Sequence, residues 1–280
     1  MEIRSDLPQF AHPKVWGAIV SSGKSEPIYR QSTGISIMDA VYICKGSGVG
    51  AIPKLFEVLG IKPKRVHLAL VKPNLCGYYP PSPPLVGAVL HVLEAISDRV
   101  VVGDTDSAIH HAEDMFESRG YSQFAGEKVE LKNLLRDEVR WCSVPSPHAV
   151  AELPMPETVV TCDVMINMPG LGTHGSTTLT CASKNLFGLI SSRRKFSEYH
   201  PLGIDEVIAD VCKIIKPTLN IVDAGKSILM GTDALSIDVI AARMLGLDPS
   251  KVEHLKLIAQ DRSLKLDEVD VGSLEQWVSP

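Results

Sequence analysis

The sequence predicts an α/β fold, a mainly parallel twisted sheet with helices on both faces. Two observations carry this expectation. Short apolar runs alternate with longer segments of helical apolar spacing, the order of repeated βα units. Several of those runs end directly in charged or amide residues, as the ligand-binding carboxyl edge of such a sheet does. The chain has 280 residues, 45% of them hydrophobic, enough for a sizeable core. Residues 1–280 are read as a single α/β domain with an elaborated middle, and a lobe boundary near 143–157 stays open.

In chain order, the first candidate strand is Val15–Val20, followed by a helix over Val49–Leu59. A strand over Val66–Val71 ends in Lys72, Pro73 and Asn74, and a helix over Pro84–Ile96 follows it. The next strand, Arg99–Gly103, runs into Asp104, Thr105, Asp106 and Ser107, with Ser107 placed to cap a helix over Ala108–Arg119. A strand over Lys128–Lys132 precedes VPSPHAVAELPMP, residues 144–156, readable as a linker or as an excursion within one domain. The strand Val159–Asn167 leads through glycines to a helix over Ser176–Ile190. Helix Ile204–Ile215 and strand Thr218–Asp223 come next. Helix Ala234–Leu245 has Thr232 or Asp233 as its cap and Gly246 as its stop, and helix Pro249–Ala259 is the last expected element. Asp238, inside its helix, is either a partly exposed acid, an acid bonded to neighbouring backbone, or a carboxylate aimed into the site.

Composition narrows the function classes. A net charge of −5 argues against a nucleic-acid footprint. There is no apolar run of about 18 residues to span a membrane, and MEIRSDLPQFAHPK lacks a signal-peptide core, so a cytoplasmic protein is expected. The six cysteines, Cys44, Cys76, Cys142, Cys162, Cys181 and Cys212, show no C-x-x-C and no ferredoxin spacing, so no iron–sulfur cluster is expected.

Gly170, Gly172 and Gly175 have the spacing G-x-G-x-x-G. A dinucleotide fingerprint also needs a second strand ending in an acid about 20 residues on. Here the next strand ends much farther away, at Asp223, so NAD is not expected. The preferred reading is an anion cradle. The loop Gly170–Ser176 would open a helix whose first N–H groups lack intrahelical acceptors, and Lys184 would lean back toward it.

The expected ligand-binding residues are Lys72, Asn74, Gly170, Gly172, Thr173, Gly175, Ser176, Thr177, Lys184 and Asn185. His174 with Asp104 and Asp106 forms the expected acid–base set. A divalent metal held by Asp104, Asp106, Asp223 and His174 is an open alternative, although no spacing motif fixes one. Arg193, Arg194, Lys195 and His200 are either a solvated face or a basic lid.

VKPNL at 71–75, VVGDTDS at 101–107, the stretch 162–190, His200, IVDA at 221–224 and MGTDALSIDVIAARMLGLDP at 230–249 together resemble the uncharacterised family catalogued as domain of unknown function 362. The resemblance covers roughly residues 64 to 260 and implies that family's α/β domain without implying a reaction. It also implies that the G-x-G-x-x-G is accidental, since the family usually carries lysine where this chain has Gly172. Many relatives are fused to a ferredoxin-like iron–sulfur module, for which this chain has no cysteine run.

Three function classes follow. The first is an enzyme acting on a small phosphorylated or carboxylated metabolite by acid–base chemistry, with or without a metal. The second is a redox-partner or cofactor-handling protein with Cys76 and Cys181 at its centre. The third is a binding module without chemistry. Oligomeric state, substrate and reaction are left open by the sequence.

Overall fold

A computed structural model of the chain describes residues 41–46, 49–58, 66–269 and 271–272. The candidate strand Val15–Val20 lies outside them. In chain order the elements are β1 (Val41–Lys45), α1 (Ile52–Val58), β2 (Val66–Pro73), α2 (Pro83–Ile96), β3 (Ser97–Asp104), α3 (Ala112–Ser118) and β4 (Val129–Asn133). Then come β5 (Val139–Ser143), β6 (Glu152–Pro156), α4 (Glu157–Thr161), β7 (Val164–Met168), β8 (Gly172–His174), β9 (Thr178–Thr180), α5 (Ala182–Phe187) and α6 (Lys195–Tyr199). The chain continues with α7 (Ile204–Ile214), β10 (Leu219–Asp223), β11 (Ser227–Gly231), α8 (Ala234–Met244), α9 (Glu253–Asp261) and β12 (Val271–Gly272).

The main sheet has the order β12-β1-β11-β10-β7-β2-β3-β4. Its five strands from β10 to β4 are parallel neighbours, while β11 runs antiparallel to both β10 and β1. Successive strand residues face opposite sides. Ala69, Val71, Val100 and Val102 therefore pack with Leu85, Val89 and Leu93 of α2 and Phe116 of α3. Leu70, Val101 and Met165 pack with Leu186, Val207, Ile237 and Leu255, from α5, α7, α8 and α9. The protein is thus an α/β fold with helices on both faces of a mainly parallel sheet. From β2 the chain builds outward through β3 and β4, and β7 then returns to the other side of β2. Beside that reversal, ligands bind at the carboxyl edge of such sheets.

Four expected elements differ from the structure. The helix expected from Ala108 starts at Ala112, because Ser107 closes a local turn and Asp106 takes the Ala112 N–H at 2.9 Å. The run Val159–Asn167 is a short helix followed by a strand. Residues 144–156 connect and complete the β5–β6 ribbon, with Leu153 and Met155 in the core. The loop of this ribbon is tied down by buried Asp210, which accepts the His148, Ala149 and Val150 N–H groups at 2.8, 2.8 and 3.0 Å.

The fourth difference bears directly on function. The helix expected over Ser176–Ile190 does not begin at the glycine loop. Residues 172–180 form the β8–β9 hairpin, and α5 starts only at Ala182. Its first N–H groups are already occupied: fully buried Asp238 on α8 accepts Ala182 N–H at 2.7 Å and Ser183 N–H at 2.8 Å. Asp238 therefore caps a neighbouring helix. The expected anion cradle at a helix start is not there, because the protein's own carboxylate fills it.

Candidate functional site

The carboxyl ends of β2 and β3, the β8–β9 hairpin, α5 and α6 enclose a cleft of about 670 Å³. Ten of the thirteen expected site residues line it: Lys72, Asn74, Asp104, Asp106, Thr173, His174, Gly175, Ser176, Lys184 and Asn185. Gly170, Gly172 and Thr177 do not. Gly170 donates its N–H to Tyr79 O at 2.9 Å. A Cβ on Gly172 would sit 2.3 Å from the Tyr79 ring. These two glycines make room for Tyr79, not for a ligand. Buried Thr177 turns its hydroxyl to Leu179 O at 3.0 Å, inside the hairpin.

Several residues in the cleft hold one another. Lys72, 1% exposed, donates to Asp104 Oδ1 at 2.8 Å, Pro73 O at 2.8 Å and Asn185 Oδ1 at 3.0 Å. An ammonium has three N–H donors, so Lys72 has none left for a ligand. Asp104 also accepts from the Thr105 N–H at 2.9 Å, Leu75 N–H at 2.8 Å and Cys76 N–H at 3.2 Å. Its oxygens are saturated, which removes it as the expected proton-transfer group. Asp106 is likewise engaged, by Ala112 N–H, by Asn133 Nδ2 at 2.9 Å and by His111 at 3.2 Å. Burial raises its pKa, but these partners outweigh burial and hold the carboxyl below its usual range. Asn185 donates to Asn167 Oδ1 at 2.7 Å, and Asn167 donates to Asn220 Oδ1 at 2.8 Å, so this amide braces Lys72. Asp223, at the end of β10, accepts Ser82 N–H at 2.8 Å and Gly225 N–H at 2.9 Å, which are turn and helix-start contacts.

Against this rigid floor stand groups with spare capacity. Among the described residues Lys184 has neither a hydrogen bond nor an ion pair. Burial pushes its amine down to about 8, opposed by Asp205 and assisted by Lys72. Burial also pushes Lys195 down to about 8, against the pull of Asp104. Lys195 donates to Thr105 Oγ1 and, at 3.0 Å, to Gly188 O, and it makes no ion pair among the described residues. One N–H remains. Burial and the nearby charge of Lys184 lower His174 to about 4, so its ring is neutral at physiological pH. Its Nδ1 accepts Ser176 N–H at 3.2 Å, which leaves the proton on Nε2. His200 stacks 4.3 Å from Phe196 and is also lowered by burial and by Lys184.

Lys195, Thr105 and Phe196 are absent from the expected ligand set. The only sequence signal for Lys195 is the basic run Arg193–Lys195, which resembles any solvated face. The cleft thiol Cys76 is pushed up to about 12 by burial and then by Asp104, and buried Cys181 lies well above its usual value. Both are therefore protonated, and so poor nucleophiles and poor metal ligands. Among the described residues no group of three His, Cys, Asp or Glu side chains could hold a metal ion, and no helix is long and apolar enough to cross a membrane.

The chain is similar to a thylakoid-associated protein of Synechocystis sp., 26% identical over 249 residues that cover 78% of this chain and 75% of that one. Among solved structures it is similar to a lactate racemase apoprotein from Thermoanaerobacterium thermosaccharolyticum, at 12% identity and a TM-score of 0.43. That match covers 80% of this chain and 57% of the other, a remote likeness that says nothing of activity. The family described as Domain of unknown function (DUF362) matches residues 69–243, more than half of the chain, and the protein belongs to that family.

Proposed function

We propose that this protein is an enzyme that binds a small carboxylated or phosphorylated metabolite in the cleft and moves a proton on it. One observation carries the reading: of the three lysines that line the cleft, Lys72 is paired with Asp104, while Lys184 and Lys195 have no carboxylate in ion-pair range among the described residues. Burying uncompensated cations is unfavourable, and a bound anion relieves the cost. Protonated Lys184, Lys195 with its remaining N–H, and the Thr173 and Ser176 hydroxyls hold the anion. Lys184, with its amine near 8, is the acid–base group. A pKa close to the working pH suits a group that must both give and take a proton. Neutral His174 donates from Nε2 to the reacting group. Lys72, Asp104 and Asn185 position this set without touching the ligand. A cytoplasmic setting belongs to the same proposal.

Calorimetric titration with phosphate, sulfate and acetate tests the binding half. Wild-type protein should bind at least one of them, and Lys184→Ala should bind it roughly 10- to 150-fold more weakly, the equivalent of about 1.5–3 kcal/mol. Deuterium wash-in from D2O into bound small carboxylates, followed by NMR, tests the chemical half. Binding without wash-in into any probe would favour a ligand-binding module.

A further inference from the structure

The chemistry of the cleft changes from floor to mouth. Its floor is lysine, threonine and amide. Its rim carries three large apolar side chains that stand out into solvent: Tyr78, Ile109 and Phe196, at 72%, 67% and 62% exposure. They come from three separate segments, after β2, after β3 and on α6. Isolated exposed apolar residues need no explanation. Three that converge from distant parts of the chain on one opening form a patch, and such a patch beside a polar site marks a recognition surface. Phe196 is also held in place, because its ring packs 4.3 Å from His200, itself packed against Phe187. Inorganic phosphate or a compact hydroxy acid would reach the lysines and leave this collar uncovered.

We infer that the cleft takes an amphiphilic anion, with its anionic head over Lys184 and Lys195 and an alkyl or aryl body against Tyr78, Ile109 and Phe196. This rests on the proposed binding of an anion in the same cleft and names the class of molecule bound. The expected gain can be scaled. A fully buried methylene contributes at most about fourfold in affinity, and one half covered by a collar about twofold. Octanoate carries five more methylenes than propionate, so it should bind at least tenfold more tightly.

The experiment is calorimetric titration of the full chain with propionate and octanoate, repeated on the double variant Ile109→Ser/Phe196→Ser. Both substituted side chains are exposed, so the fold should tolerate the change. The expected result is an octanoate preference of tenfold or more in the wild type, falling to threefold or less in the variant. Equal affinity for the two acids would overturn the inference and leave the anion site standing. An octanoate preference that survives the double variant would also overturn it, by placing the tail elsewhere. Binding of neither acid, nor of phosphate or sulfate, would remove the anion site and this inference together. Self-association lost in the double variant, with no chain-length preference, would assign the collar to a second copy of the chain and overturn the inference.

Discussion

Lys184 should weaken the free protein while serving its ligand, and Lys184→Met separates the two effects. Methionine keeps most of the side chain's length and removes the charge. The amine falls from 10.5 to about 8 on folding, chiefly through burial. At about 1.4 kcal/mol per decade, the charged form is disfavoured by up to about 3 kcal/mol. The group touches solvent at the cleft, so we expect a realised cost of about 1–2 kcal/mol. The sign is fixed by linkage. A lysine whose folded pKa lies below its unfolded value costs stability at pH values below about 8, where both states are charged, and the cost fades as pH rises toward 10.5. Lys184→Met should therefore be more stable than wild type at pH 7, by about 1–2 kcal/mol in urea denaturation, with the gain gone near pH 10.5. The same variant should bind sulfate or acetate at least tenfold more weakly. A variant that binds these anions normally but melts several degrees lower would refute the reasoning and make Lys184 a packing residue.

Other predictions follow from individual contacts. Asp238→Ala leaves two buried N–H groups of α5 without acceptors, and urea denaturation should show a loss of about 3 kcal/mol; a loss under 1 kcal/mol would mean that α5 does not need this cap. Gly172→Ala should cost about 1–3 kcal/mol by overpacking against Tyr79, and Tyr79→Ala should restore most of it. Anion affinity should fall as pH rises through about 8, where Lys184 and Lys195 lose their protons, and should show no step near pH 6.5, because His174 sits near 4. Cys76, pushed up to about 12, should react with iodoacetamide at neutral pH much more slowly than a free thiol, which timed mass spectrometry would record.

The parallel part of the sheet is readable in the sequence because most of its strands, β4 (VELKN) excepted, contain an apolar run between breakers, and Val66–Val71 and Thr218–Asp223 lie within one or two residues of β2 and β10. The antiparallel flank carries weaker signals. SILMG, residues 227–231, is an apolar run just after a glycine turn, and it falls between the expected strand ending at Asp223 and the expected helix from Ala234, assigned to neither. Residues 41–45 form a short run, VYICK, with no strand signal close by in the chain to pair with, since its antiparallel partner lies at residues 227–231. The glycine loop misled for a physical reason. Threonine and serine suit both a helix start and a hairpin, and the residue that decides the matter, Asp238, lies more than 50 positions downstream. Strand-end placement brought most expected residues to one cleft, but sequence cannot show saturation. Nothing in VKPNL reveals that the three donors of Lys72 are taken by Pro73, Asp104 and Asn185.

The amide chain beneath the cleft has a consequence for assembly. Lys72, Asn185, Asn167 and Asn220 pass hydrogen bonds in one direction, each oxygen accepting from the previous member, across β2, α5, β7 and β10. Side chains alternate along a strand, so a one-residue slip of β7 against β2 would turn Asn167 to the opposite face. Asn185 and Asn220 would each lose a buried partner, at about 1–3 kcal/mol apiece. The asparagines act as a key that fits one alignment. Lys72 belongs to the same key, so its orientation under the cleft is completed only once the central strands are in register.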